Sequence, residues 1–181
     1  MPFPIRPGLR PALRHCCRLM LTVSAVLGAA DARAQSGIWP GVHIRDRRTA
    51  GAVRLALDGA ARRLTHQRCQ TLFTEFHDEH DNPLSERLAE LGPTAREYLE
   101  QVVWHDGSRA ERCRQERTLA FTAAGYRVVF ICGPSFQQAH ATDRNLAEAI
   151  LIHEMLHSLG LGENPPSSQA ITYRVQSQCR G

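Results

Sequence analysis

From residue 50 onward, Val53, Leu55, Leu57, Ala60, Ala61 and Leu64 fall largely on one face of a 3.6-residue spiral. That spacing predicts a helix over 50–66, with Arg62 and Arg63 near its C-terminal end, where cations suit the helix dipole. The period then changes. Leu72, Thr74 and Phe76 alternate with Thr71, Phe73 and Glu75, which predicts a strand over 70–76 and a polar turn over 77–83. A short helix over Leu84–Leu91 is stopped by Gly92 and Pro93. A further strand is expected over 98–104, closed by the Asp106-Gly107 turn signal beside His105. Strands over 119–122 and 126–132 form a pair joined at Ala124-Gly125. Val128–Ile131, apolar on both faces, should be central in the sheet. Asp143 is placed to cap a helix that carries Leu146, Ala149, Ile150, Ile152, Met155, Leu156 and Leu159 and ends at Gly160. Ser167 or Ser168 caps a last helix, on which Ile171, Val175 and Cys179 share one face. The pattern describes one α+β domain over 35–181: a small mixed sheet, a long backing helix and a second helix against it.

Charge and cysteine content place that domain in a compartment. The net charge of +4 is accounted for by the first 34 residues, where Arg6, Arg10, Arg14, Arg18 and Arg33 face the single acid Asp31. The remainder is neutral and gives no electrostatic footprint for nucleic acid or anionic lipid. Those 34 residues read as an export leader: spread arginines, an apolar stretch over 19–30, then the small-x-small site Ala32-Arg33-Ala34. The apolar stretch is too short to span a bilayer, so no stable membrane anchor is expected. Cys16 and Cys17 would leave with the leader. Cys69, Cys113, Cys132 and Cys179 remain, and none lies in a C-x-x-C pair. Two disulfides in a secreted or periplasmic protein are expected, with all three pairings open.

The chemistry concentrates in residues 153–163. His153 and His157 lie one helical turn apart and can reach one ion, while Glu154 sits beside that line, able to accept a proton from an activated water. Gly160 can turn the chain back and deliver Glu163 as a third ligand, leaving the fourth position of a catalytic zinc open. Asn164, Pro165 and Pro166 stiffen the chain just beyond. Tyr173 could reach the site as an oxyanion stabiliser; a packed or exposed tyrosine is the plainer reading. His140 reads as a surface residue, His77 and His80 as parts of a solvated turn and His105 as a turn residue; Ser158 is not read as a nucleophile.

The run His153-Glu154-x-x-His157-x-x-Gly160-x-x-Glu163 resembles the metzincin branch of the zincin metallopeptidases, with an acid at the third position as in the snapalysin-like variant. The resemblance implies one Zn2+ held by His153, His157 and Glu163, with Glu154 as general base, acting on a peptide or protein substrate. It departs from the family downstream, where no methionine follows Glu163 to form the methionine-containing turn. Two other readings stay open: a zinc-binding interaction protein without turnover, and a metal-free, disulfide-stapled domain.

Overall fold

The computed structural model describes residues 38–92, 94–115, 118–163 and 165–180; the expected leader over 1–34 lies outside them. Residues Ala34–Gly181 group into one compact unit of mixed α and β structure. Its sheet runs β1 (Val42–His43), β2 (Val103–Asp106), β4 (Val128–Ile131) and β3 (Ala120–Phe121) in spatial order. β1, β2 and β4 are parallel; β3 is the antiparallel edge strand. Register is set by side-chain alternation. Trp104, Val129 and Ile131 point to the helices and are fully buried, while His43, His105 and Phe130 line up across the other face and are exposed. β4 is central, as expected, but apolar burial on both faces is not found: Phe130 stacks on Phe121 at 5.2 Å on the open side. His105 stands in β2 opposite His43, a strand position where a turn is expected from the sequence.

The helical layer is built on α1 (Arg47–Leu64), capped by Asp46, whose carboxylate accepts from the Thr49 amide. The sequence pattern places this helix correctly, apart from its start, which lies three residues earlier than the expected Ala50. Two expected strands are helices instead. Over 70–76 the chain forms α2 (Gln67–Gln70) and α3 (Leu72–Glu75), because Cys69, Leu72, Phe73 and Phe76 also repeat at helical spacing and pack inward together. After α4 (Leu84–Leu91), the expected strand over 98–104 is α5 (Ala95–Gln101), and β2 starts only at Val103. Here a capping box decides: Thr94 accepts from the Glu97 amide at 3.1 Å, and its hydroxyl donates to the Glu97 carboxylate. Beyond β4, α6 (Gly133–Thr142) begins with proline in its first turn, a position that needs no amide donor.

Then follow α7 (Arg144–Ser158) and α8 (Ser168–Gln178), capped as expected by Asp143 and Ser167. α1, α6 and α7 pack on one another, and α7 also meets α8, β3 and β4. Every residue from Leu151 to Ser158 is therefore buried. Two disulfides close the structure: Cys69–Cys179 ties α2 to the end of α8, and Cys113–Cys132 ties the chain before β3 to the end of β4. In the chain-entropy view, loops of these lengths restrict the unfolded chain by about 3–5 kcal/mol each. Both point to an oxidising compartment. No helix among the described residues is long and apolar enough to cross a membrane.

Candidate metal centre

A helix buried through most of its length carries no buried polar side chain without reason, since each costs free energy unless partnered. In α7 the buried polar residues are Glu148, His153, Glu154, His157 and Ser158. Ser158 is satisfied structurally. Its hydroxyl donates to the Met155 carbonyl at 2.7 Å, and the buried Tyr98 hydroxyl bonds to it in turn. Glu148 is satisfied by Arg63 at 2.6 Å. The other three face one cleft.

His153 and His157 are oriented from behind. His157 Nδ1 donates to the Leu161 carbonyl at 2.7 Å, so its Nε2 presents a lone pair. His153 Nδ1 lies 2.9 Å from the Thr172 hydroxyl of α8. With both outer nitrogens engaged, the two Nε2 atoms meet at 2.9 Å. α7 then stops at Gly160, whose φ of +119° is a left-handed-side conformation open to glycine, and Leu161 bridges to Asp78. That bend brings Glu163 back over the histidines: its Oε1 is 3.2 Å from His157 Nε2 and 3.8 Å from His153 Nε2. A tetrahedral ion with bonds of about 2.0–2.1 Å has ligand–ligand edges of about 3.3–3.4 Å. The three observed separations bracket that edge. This His153, His157 and Glu163 group could hold a metal ion, and it is the one such trio of donors among the described residues.

Electrostatics favour the metal-ready forms. The His153 imidazole beside it, with the neighbouring His157 and Ser168, holds the Glu163 carboxyl down at about 2 despite partial burial. Burial, aided by the adjacent His153, keeps His157 below the ordinary histidine range and hence neutral. Glu154 differs: burial pushes its carboxyl up to about 7, against the pull of His153. Its Oε2 is buried and has no hydrogen-bond partner.

Glu154 lines, with the three donors, a cleft of about 730 Å³ that is also lined by β3 and its flanks, including Phe121 and Thr122. Thr172 lines it as well. Tyr173, the candidate oxyanion stabiliser, is 71% exposed and is not among the cleft residues; the hydroxyls that α8 delivers to the site are those of Thr172 and Ser168. The geometry thus brings together four of the five residues singled out for metal and proton chemistry. His140 is half-buried with its Nε2 unpartnered, and it does not line the cleft. His80 is exposed beside Glu79, and His77 pairs with Pro83 in an isolated bridge. The sequence reading misses Thr172, Ser168 and the Leu161 carbonyl. A glimpse of the first two was available, since Ser168 and Thr172 stand one turn apart on the last helix. No known protein family, curated protein or solved structure matches the chain.

Proposed function

We propose that this protein is an exported zinc-dependent metallopeptidase that hydrolyses peptide bonds. The observation that carries the reading is the convergence of His153 Nε2, His157 Nε2 and Glu163 Oε1 on one point, with the Glu154 carboxylate, whose Oε2 has no partner, in the same cleft. Two neutral imidazoles and one carboxylate are a donor set suited to catalytic zinc, and no thiolate or oxygen-rich cage competes for the assignment. Bound there, zinc would supply a Lewis acid that activates water and polarises a carbonyl.

The chain's own residues do the rest. Thr172 and the Leu161 carbonyl fix the two imidazoles in the orientation that presents Nε2. Glu154, held near neutrality by burial, takes a proton from the attacking water and returns it to the leaving amine. The edge strand β3 lines the cleft and pairs only with β4 among the described strands. Its free backbone edge suits an extended peptide, which favours a polypeptide over a small amide. Export fits the two disulfides and the arginine-rich leader sequence.

The test is hydrolysis of a mixed peptide library by zinc-reconstituted protein and by Glu154→Gln. The wild type should cleave, and the variant should keep its zinc while losing about 10²–10⁴-fold in rate. Full activity in Glu154→Gln contradicts the assignment, and absence of cleavage by the wild type removes the peptidase reading.

A further inference from the structure

The cleft contains a cation that the metal chemistry does not use. Arg112 is the one arginine among the described residues lining it; the two acids there, Glu154 and Glu163, belong to the site already described. Arg112 sits on the one-turn 3₁₀ helix Glu111–Arg114. On that turn Glu111 pairs with Arg114 at 3.0 Å. The guanidinium carbon of Arg112 stands 5.7 Å over the Phe121 ring, and Phe121 is itself stacked on Phe130. Next in sequence, Cys113 is locked to Cys132 at the end of β4. An exposed arginine ordinarily samples many rotamers. This one has its backbone anchored by the neighbouring disulfide and one face of its guanidinium laid on an aromatic ring, which leaves its N–H edges pre-set for a planar partner. Its charge is felt by Glu154 across the cleft.

We propose that Arg112 is a specificity residue that receives a carboxylate of the substrate, so that the peptidase acts on acidic peptides. A carboxylate matches the guanidinium fork with two parallel hydrogen bonds. The inference rests on the peptidase reading. The partner carboxylate belongs to an acidic side chain or to a free C-terminus, at a fixed distance from the cut bond.

The experiment profiles cleavage sites in peptide libraries with free and with amidated C-termini, using zinc-loaded wild type, Arg112→Gln and Arg112→Glu. A preference of about ten- to a hundredfold for a carboxylate at one position is expected. Arg112→Gln should abolish it and Arg112→Glu should turn it toward basic residues. Persistence in the amidated library assigns the side chain; restriction to free ends assigns the C-terminus. A second readout needs no turnover: hydroxamates bearing a terminal carboxylate on chains of increasing length, each compared with its methyl-ended counterpart for binding to zinc-loaded protein. One length should bind about tenfold tighter with the carboxylate, and Arg112→Gln should erase the difference. Cleavage with no acidic preference, or with one unchanged in both variants, overturns the role of Arg112 and leaves the peptidase reading standing. No cleavage, together with a carboxylate preference among the hydroxamates, overturns the peptidase reading and keeps Arg112 as a carboxylate site.

Discussion

Helix α7 buries two glutamates, and the fold treats them in opposite ways. Glu148 lies in the first half, where Arg63 meets it through Nε and uses its other nitrogens on Asn145 and the Cys179 carbonyl. Gly59 makes room for this: a Cβ there would come within 2.1 Å of the Glu148 carboxyl. Glu154 lies in the second half, as deeply buried, with one oxygen that nothing in the protein satisfies. The first carboxylate is a cross-link between α1, α7 and the C-terminal end of α8. The second is held in an unfavourable state that stability alone does not explain. Burial by itself therefore does not mark a functional acid; the role proposed for Glu154 rests on burial with one oxygen unsatisfied, in a cleft beside candidate metal donors.

Changing each glutamate's surroundings should separate the two roles. The largest effect is expected at the satisfied one. Arg63→Ala strands Glu148 in the interior and should cost about 3–5 kcal/mol in denaturant unfolding at pH 7. Glu154→Gln in metal-free protein should do the reverse. The Glu154 carboxyl is raised in the folded state from the ordinary 4.5 to about 7. Folding favours its protonated form, so its contribution is intact below the unfolded value and is lost as pH rises through about 7. Glutamine removes that loss and should stabilise the protein by up to about 3 kcal/mol at pH 8, with little effect at pH 4, as read from unfolding curves at both values. A smaller effect is expected behind the metal: Thr172→Val removes the hydroxyl orienting His153 and should weaken zinc binding about 10–100-fold in competition with a chelator, leaving the fold intact.

The same contrast explains what could be read from the chain. Glu154 and its neighbours were legible because a helical repeat fixes where His153 and His157 point, and because Gly160 marks the bend that returns Glu163. Those are local rules. Arg63 was visible only as a cation near a helix end, since its partners Glu148, Asn145 and Cys179 are far away in sequence. Thr172 was hidden for the same reason. Misassigned elements have a local cause: in 70–76 the apolar residues satisfy both a two-residue and a helical period, and in 98–104 Tyr98-Leu99 and Val102-Val103 recur at helical spacing just ahead of a true strand. Burial of Cys69, Leu72 and Phe73, and the Thr94–Glu97 capping box, resolve the ambiguity toward helix. The helix α6 had no apolar stripe to announce it, and its opening Gly133-Pro134 resembles a turn. The α+β class survives these errors because the central strand and the two long helices, α1 and α7, are placed correctly and carry a large share of the core.

The central claim is that two imidazoles and the returning carboxylate share one ion while Glu154 stays outside its coordination. Zinc bound per chain after exhaustive dialysis tests it most directly. The wild type and Glu154→Gln should each retain one equivalent, and His157→Ala and Glu163→Ala should lose it or hold it far more weakly. A wild type that retains no zinc, or a His157→Ala variant that retains as much as the wild type, would contradict the account.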